Sequence, residues 1–382
     1  MATLVKAAIK PMKAVQVPKP GADFEVVERE IPAPGRGQVL IRVQACGVCH
    51  SDVFVKEGLW PGIQYPRVPG HEVAGIIDEL GAEVTGWKKG QRVGVGWYGG
   101  HDNTCLECRR GRFLYCRNLK VAGISYDGGY QQYMLAPVEA LAAIPDKLSD
   151  AEAGPLLCAG VTTFNGLRHS GALPGDLVAV QGIGGLGHLG IQFASKFGYR
   201  VVAIGRGAEN GVLAKKLGAT VYIDSKATNA AEELQKLGGA HAILATAPNS
   251  KAMSELIDGL APSGKFIVVG ISADPIAVTP LQLISGERAI QGSAVGTPRN
   301  SIREQIWVQG GCHWTWARER DTGKETWSNC IYRQPNHQRS TGVTKAGRRT
   351  SNSGDSAEFK SYVRVDRRPG AEWEVHDRRD IA

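Results

Sequence analysis

The chain has 382 residues, enough for two domains that each bury a hydrophobic core. Its formal net charge is +8, but residues 299–382 hold 16 Lys and Arg against 11 Asp and Glu, so the rest is nearly neutral. That balance, without a basic stripe interleaved with aromatic residues, argues against a nucleic-acid partner. No apolar run approaches the ~20 residues of a membrane span, so we expect a cytoplasmic protein with no membrane partner.

Two patterns of hydrophobicity divide most of the chain. Residues 1–157 consist of short β-rich runs separated by Gly and Pro, which predicts a β-dominated domain with long loops. Residues 158–298 alternate continuous apolar runs with amphipathic ones, as in LVAVQGI and GLGHLGIQFASKFG, which is typical of strands and helices in a doubly wound parallel sheet. The predicted fold class is therefore α/β, a β-rich domain followed by a doubly wound parallel sheet.

The remaining segment, residues 299–382, has a different character. It contains no Leu, carries five of the eight Trp, and has neither helical nor strand periodicity. Such a composition does not build a hydrophobic core. We expect an atypical tail, either disordered or translated out of frame.

Cys49, His71 and Cys158 form the most informative set of residues. They lie in the motifs CGVCHSD, PGHEVAG and PLLCAGVTTF, too far apart for a small zinc finger. A zinc ion held by three protein ligands keeps a fourth position for water or substrate, which distinguishes a catalytic from a structural site. The alternative is that Cys158 is a buried thiol and His71 a core histidine. Most of the eight cysteines lie in short clusters with Asp or His, which favours metal binding over disulfides.

A glycine-rich loop, QGIGGLGHLG, follows the predicted strand LVAVQ and opens a helix. Gly182, Gly184 and Gly187 fit the G-x-G-x-x-G pattern, in which the glycines allow a tight turn, approach of a pyrophosphate, and packing of helix on strand. We therefore predict dinucleotide binding by this loop, including Gly185 and Leu186. The alternative is that the glycines serve only the turn.

The end of the next predicted strand, VVAIGRG, bears on the choice of cofactor. An NAD-binding protein usually places Asp or Glu there to hold the ribose 2′-hydroxyl. Gly205 and Arg206 stand there instead, leaving room and positive charge for a 2′-phosphate, which favours NADP. In the alternative, Arg206 is a surface charge and NAD binds without an acidic anchor.

Together, the motifs CHSD, GHE, LCAGVT and GIGGLG resemble those of the zinc-containing medium-chain alcohol dehydrogenases, especially the microbial and cinnamyl-alcohol dehydrogenase-like branches. The resemblance covers about residues 12–297. It implies a GroES-like zinc-binding catalytic domain over residues 1–157 and a Rossmann domain over residues 158–298. It also implies two zinc ions per chain, a homodimer or homotetramer, and reversible hydride transfer between a small primary alcohol or aldehyde and NAD(P).

The resemblance implies metal ligands residue by residue. The catalytic zinc ligands are Cys49, His71 and Cys158, with Glu72 behind them or exchanging into the shell. The family's four-cysteine structural zinc lobe matches the run HDNTCLECRRGRFLYC, with Asp102 in place of the first cysteine and His101 beside it. The implied structural ligands are Asp102, Cys105, Cys108 and Cys116. The alternative is a zinc-free loop of reduced thiols.

Further roles are implied for residues around these ligands. Ser51 matches the position that takes the alcohol proton and His50 a position that contacts cofactor phosphate, whereas Phe54 stands where a relay histidine is common. The implied nicotinamide contacts are Thr162, Val269 and Val295. Trp60 and Trp97 match the substrate channel, where large indoles favour small or planar substrates; otherwise they are core aromatics.

The tail defines the alternative function. Family members complete the sheet and the β-rich domain with the segment that residues 299–382 replace here. The alternative is therefore a catalytically impaired, nucleotide-binding relative. A zinc-free quinone reductase of the same superfamily is disfavoured, because it lacks the three catalytic ligands.

Overall fold

The computed structural model describes residues 11–298 and four short strands beyond them. The strands of the first half are β1 (Pro11–Gln16), β2 (Glu25–Glu30), β3 (Gln38–Cys46), β4 (Val73–Leu80), β5 (Arg92–Val95), β6 (Tyr98–Gly100), β7 (Lys120–Val121), β8 (Tyr133–Pro137) and β9 (Leu141–Ala143). Its helices are α1 (Val53–Lys56), α2 (Leu106–Arg109) and α3 (Asp150–Pro155), with 3-10 turns at His50–Asp52, Phe113–Tyr115 and Val138–Ala140.

An antiparallel sheet forms the centre of this half, with strand order β8-β3-β4-β5-β9. Val39, Ile41 and Val43 share one face of β3 and belong to the core cluster of this half. On the other face Leu40 is also buried, whereas Arg42 and Gln44 are half-buried. The β1–β2 hairpin is antiparallel, and β1 hydrogen-bonds the segment just before β8. Strand β6 pairs with β7. The β-dominated first half predicted from the sequence is confirmed.

The second half begins with a π-helical turn (Leu156–Gly160) and α4 (Val161–Arg168). Its strands are β10 (Leu177–Gln181), β11 (Arg200–Gly205), β12 (Val221–Asp224), β13 (Ala240–Ala245), β14 (Leu260–Val268) and β15 (Ala289–Gly292). Its helices are α5 (Gly187–Lys196), α6 (Ala208–Lys216), α7 (Ala230–Lys236), α8 (Ser250–Leu256) and α9 (Pro280–Ile284), with a 3-10 turn at Ile257–Gly259.

The strands of this half form one parallel sheet with order β12-β11-β10-β13-β14-β15. Every residue of β10 is buried, as expected for a strand covered by helices on both faces. One core cluster, with Val180, Phe193 and Leu244, lies on one side of the sheet, and a second, with Ala179, Ile243 and Phe266, lies on the other. The predicted α/β class with a doubly wound parallel sheet is confirmed.

The helical connection between the halves runs without interruption from Asp150 to Arg168. It therefore crosses the predicted boundary between residues 157 and 158, and the domain limits stay predictions. Beyond residue 298 the described strands are β16 (His313–Trp316), β17 (Cys330–Arg333), β18 (Val365–Asp366) and β19 (Glu374–Val375), which form two antiparallel pairs. The expectation for the rest of residues 299–382 lies outside the described residues. Among the described helices, none combines the length and apolarity needed to cross a bilayer.

Candidate active site and zinc centres

Four side chains that are distant in sequence converge beside the first sheet: Cys49, His71, Glu72 and Cys158. One ligand atom from each lies within 4.8 Å of those of the other three; His71 and Glu72 are buried, and Cys49 and Cys158 are half-buried. Cys49 precedes the 3-10 turn, His71 and Glu72 directly precede β4, and Cys158 lies in the π-helical turn. The fold therefore brings together the four residues that the sequence predicted.

The histidine of this cluster is oriented by a carboxylate. His71 Nδ1 lies 3.1 Å from Asp52 Oδ1, and His71 Nε2 is buried without a hydrogen-bond partner among the described residues. A ligand imidazole commonly donates its second ring N–H to a carboxylate, which fixes the tautomer. An unpartnered buried nitrogen carries an energetic penalty that a bound metal ion would remove. The donor set and its geometry fit zinc.

Asp52 is itself held by hydrogen bonds. Its Oδ1 accepts from the Gly70 amide (3.2 Å), and its Oδ2 accepts from the Cys49 amide (3.1 Å) and the Tyr130 hydroxyl (2.7 Å). Burial raises the pKa of Asp52, but the His71 imidazole and the donated hydrogen bonds outweigh burial and lower it below its ordinary value. Asp52 is thus a carboxylate that orients His71.

Sequence reasoning missed the role of Asp52 and Tyr130. Asp52 stood within the motif CHSD, three residues after Cys49, so the motif contained a signal for it. Tyr130 had no local signal, because only the fold brings it to Asp52.

The thiol pair of the cluster is strongly polarised. The Sγ atoms of Cys49 and Cys158 lie 3.7 Å apart. The contact between the two thiols lowers the pKa of Cys49 well below its ordinary value and raises that of Cys158 well above it. Burial raises the pKa of Glu72 well above its ordinary value, and the Cys49 thiolate adds to this rise. A cation among these groups would stabilise their deprotonated forms, in which they bind metals.

Cys46, the first residue of the motif CGVCHSD, lies outside this ligand group. Its side chain packs against core clusters that contain Val73 and Tyr130. Burial raises the pKa of the Cys46 thiol well above its ordinary value.

The second predicted ligand set also converges, in the loop around α2. The ligand atoms of Asp102, Cys105, Cys108 and Cys116 all lie within 4.8 Å of one another. Asp102 Oδ1 accepts from the amides of Cys105 (3.0 Å) and Thr104 (2.8 Å), and these bonds lower the pKa of Asp102. A carboxylate with three cysteine sulfurs makes a closed four-coordinate set, as in structural zinc sites.

The neighbouring His101 is engaged elsewhere. Its Nδ1 hydrogen-bonds the Tyr98 hydroxyl, and its Nε2 lies 2.7 Å from Asn103 Oδ1. Asp102, rather than His101, therefore completes the cysteine set.

Three predicted cofactor positions follow or end parallel strands, and so share one edge of the sheet: Gly182 follows β10, Gly205 ends β11 and Val269 follows β14. Dinucleotides bind at this carboxyl edge in doubly wound sheets. Gly182 has a φ of +88°, and a Cβ on Gly187 would lie 1.8 Å from the Gly182 carbonyl oxygen, so side chains do not fit there.

The rest of the loop is open to a ligand. Gly184 and Gly185 are exposed, and a Cβ added to either would meet no atom within 4 Å. Leu186 stands at the N-terminus of α5, whose first residue is Gly187. The arrangement offers backbone N–H groups to an anion at the start of the helix.

The predicted nicotinamide contacts come from three elements. Thr162 is the second residue of α4 and is half-buried, Val269 is half-buried beyond β14, and Val295 is 9% exposed beyond β15. His50 is exposed and Ser51 half-buried on the turn after Cys49.

An aromatic cluster borders the first ligand set. The ring of Trp97 lies edge-on to His71 with centroids 5.0 Å apart, and Trp60 lies 5.5 Å from Trp97. Phe54 contacts both indoles, at 5.9 Å from Trp60 and 6.3 Å from Trp97. Trp60 is 38% exposed, so the cluster extends from the surface to the metal-ligand set.

The turn after β11 carries both signs of charge. Arg206 is exposed, and Glu209 Oε1 lies 2.6 Å from the place that a Cβ on Gly207 would take. Asp224 Oδ2 accepts the Gly207 amide at 3.1 Å. The sequence prediction considered only the cation, because the nearness of Asp224 depends on the pairing of β12 with β11.

Fold and site together define a zinc-binding dehydrogenase, and comparison with known proteins agrees. Residues 35–146 match the alcohol dehydrogenase GroES-like domain and residues 185–307 the zinc-binding dehydrogenase domain. The chain is 43% identical to alcohol dehydrogenase patD of Aspergillus clavatus over 307 residues, 80% of this chain and 79% of that protein. It is 39% identical to an alcohol dehydrogenase of Geobacillus stearothermophilus over 297 residues, 77% of this chain and 88% of that protein.

Solved structures agree as well. A zinc-binding dehydrogenase from Sinorhizobium meliloti bound to NADP superposes with a TM-score of 0.73 at 27% identity, over 79% of this chain and 89% of that one. A cobalt- and zinc-bound thermostable alcohol dehydrogenase from Pyrobaculum aerophilum superposes with a TM-score of 0.69 at 27% identity, over 79% of this chain and 88% of that one.

The chain belongs to the family of zinc-containing medium-chain alcohol dehydrogenases. It is an oxidoreductase of the zinc alcohol dehydrogenase class, and the alternative of an impaired relative is not favoured. The predicted cofactors, zinc with NAD or NADP, are confirmed at the level of the family.

Proposed function

We propose that this enzyme interconverts small primary alcohols and aldehydes with NADP, using a catalytic zinc held by Cys49, His71 and Cys158. The observation that carries the proposal is the buried, unpartnered Nε2 of His71 facing two sulfur atoms and a carboxylate. Bound zinc would act as a Lewis acid on the substrate oxygen. Glu72 lies close enough to exchange into the ligand set.

The chain's own groups supply the remaining functions. The Ser51 hydroxyl, two residues from the ligand Cys49, takes the alcohol proton, and the exposed His50 contacts cofactor phosphate. Thr162, Val269 and Val295 pack against the nicotinamide and orient it. Gly182, Gly184, Gly185, Leu186 and Gly187 hold the pyrophosphate at the start of α5.

The substrate class follows from the aromatic cluster next to His71. Trp97 and Trp60 line the approach to the metal and narrow it, so the enzyme favours small or planar primary alcohols and aldehydes. Phe54, at the position where a relay histidine is common, adds apolar surface. Because Phe54 cannot carry a proton, the proton leaves Ser51 through water or the cofactor ribose.

We propose NADP as the preferred cofactor because Arg206 is exposed at the adenosine end of the site. Glu209 and Asp224 oppose this preference, since carboxylates repel a 2′-phosphate. NAD is therefore the alternative. Comparing kcat/KM for NADPH and NADH decides between them, and a strong preference for NADH would overturn the proposal.

Asp102, Cys105, Cys108 and Cys116 hold a second, structural zinc in our proposal. Reduced thiols in both clusters suit the reducing cytoplasm, which we propose as the location.

We also propose a homodimer or homotetramer. The sheet edge at β15 is open among the described residues, and Leu281 and Ile284 of α9 are 72% and 74% exposed beside it. Light scattering of the purified chain tests the assembly.

The decisive experiment combines zinc analysis of the full-length chain with NADPH-dependent reduction of small aliphatic and aromatic aldehydes. We expect about two zinc ions per chain, one for each ligand cluster, and turnover. Cys158→Ser should abolish turnover and lower zinc content by about one, whereas Cys46→Ser should keep both zinc ions. Zinc retained in full by Cys158→Ser would overturn the assignment of the catalytic ligands.

A further inference from the structure

The turn that follows β11 is tied to the end of β12 through hydrogen bonds. The carbonyl of Gly205 accepts from the Ser225 amide at 2.9 Å and from the Ser225 hydroxyl at 3.0 Å. The amide of Gly207 donates to Asp224 Oδ2 at 3.1 Å, and its carbonyl accepts from the Tyr222 hydroxyl at 2.7 Å. The backbone on both sides of the intervening residue is therefore fixed.

The Tyr222 ring fits this turn because two glycines make room for it. A Cβ on Gly205 would lie 3.1 Å from Tyr222 Cε2, and a Cβ on Gly211 would lie 2.7 Å from Tyr222 Cδ1. Glycine inside a helix is unfavourable, and Gly211 lies within α6. Packing of the Tyr222 ring accounts for the glycine at both positions. From the sequence, Gly205 was assigned only to cofactor binding.

Arg206 is the residue between the two fixed glycines. Its carbonyl accepts from Asn210 Nδ2 at 2.8 Å, so its own backbone is held as well. Within residues 11–298 its exposed guanidinium has no hydrogen bond or ion pair of its own. A rigid backbone with a free cationic head loses less entropy when it binds an anion than a mobile loop would.

We infer that Tyr222 is a positioning residue for cofactor choice: it holds the turn so that Arg206 faces the 2′-phosphate of NADP. The inference rests on the proposed NADP preference. Arg binds phosphate through paired N–H groups and so depends on orientation. Tyr222 acts through Arg206, and a cofactor without the 2′-phosphate does not depend on it.

The test uses the full-length chain and two adenosine fragments, 2′,5′-ADP and 5′-AMP, with calorimetric dissociation constants. Tyr222→Phe removes the hydroxyl and keeps the ring. We expect this variant to weaken the binding of 2′,5′-ADP by about twofold to tenfold, the range for one hydrogen bond. The dissociation constant of 5′-AMP should change by less than about twofold. In steady-state kinetics KM for NADPH should rise by the same factor, with kcat unchanged.

Two further variants complete the design. Arg206→Ala should weaken the binding of 2′,5′-ADP. In the double variant, Tyr222→Phe should weaken this binding no further, because the tyrosine acts through the arginine. Tyr199→Phe is the matched control: its hydroxyl donates to the Ala172 carbonyl at 3.2 Å, in the segment before β11. It should leave both fragments unaffected.

The outcomes separate the two proposals. If Arg206→Ala leaves 2′,5′-ADP binding unchanged, the NADP contact is wrong and this inference falls with it. If Arg206→Ala weakens binding but Tyr222→Phe does not, only the positioning role is overturned. Equal weakening of both fragments by Tyr222→Phe also overturns it, because that pattern indicates general loss of structure.

Discussion

Asp52 and His71 are joined by a contact of 3.1 Å between Oδ1 and Nδ1, and this contact turns the other ring nitrogen of His71 toward Cys49 and Cys158. Asp52 is 6% exposed and His71 is 2% exposed, so water does not replace either partner. Tyr130 and two backbone amides hold the carboxylate in turn. The metal site is therefore supported by a second layer of residues.

Replacing Asp52 tests this support. Asp52→Ala should lower catalytic zinc affinity by about 10- to 100-fold, because the imidazole loses the group that fixes its tautomer. Chelator competition followed by zinc analysis measures it. Asp127→Asn serves as control, since Asp127 pairs with Arg29 and Arg67 away from the ligands. Unchanged resistance to the chelator in Asp52→Ala would contradict the assignment.

The second cluster predicts a different dependence on its carboxylate. Asp102→Ala leaves three sulfur ligands and should reduce zinc by about one ion per chain, with a lower Tm. Asp102→Cys restores a set of four ligands and should keep two zinc ions per chain. Elemental analysis and thermal melting follow both variants. Full zinc content in Asp102→Ala would mean that the carboxylate is not a ligand.

Trp97 should control substrate size. Trp97→Ala opens space beside His71, so the ratio of kcat/KM for bulky over small alcohols should rise by about tenfold or more. Trp87→Phe is a suitable comparison, because Trp87 packs against the core of the first sheet. An unchanged ratio in Trp97→Ala would favour the interpretation of Trp97 as a core aromatic.

Glu209 should oppose binding of the phosphorylated cofactor. Glu209→Gln removes a negative charge beside Gly207, so KM for NADPH should fall while KM for NADH changes little. The effect should shrink as ionic strength rises, because Glu209 is exposed. Measuring both KM values at low and high salt checks this. Glu232→Gln on α7 is the control, and a lower KM for NADH alone would contradict the prediction.

The glycine loop provides a pair of variants with opposite expectations. Gly187→Ala places a Cβ 1.8 Å from the Gly182 carbonyl oxygen and should destabilise the fold by about 1 to 3 kcal/mol. Gly184→Ala meets no atom and should keep stability but weaken cofactor binding, since this surface faces the pyrophosphate. Denaturant unfolding and cofactor titration separate the two. Equal stability of both variants would show that the turn can relax.

Some features of the site were predictable because they are local in sequence. The spacing of the glycines in GIGGLG predicts a tight turn, and the structure contains this turn with its close contacts. Cysteine and histidine in short motifs predict ligands by their chemistry. Asp52 was within reach of the same reasoning, since it lies one turn after Cys49, whereas Tyr130 was not.

The sequence by itself determined the α/β class, the family and the identities of the candidate ligands, because strand and helix periods and metal-binding side chains are written into short segments. Only the tertiary structure decided that Tyr98 and Asn103 engage His101, that Tyr130 holds Asp52, and that Tyr222 packs against Gly205 and Gly211. These contacts join residues brought together by folding, and hydrogen bonds and packing act over a few ångströms of space, whatever the separation along the chain.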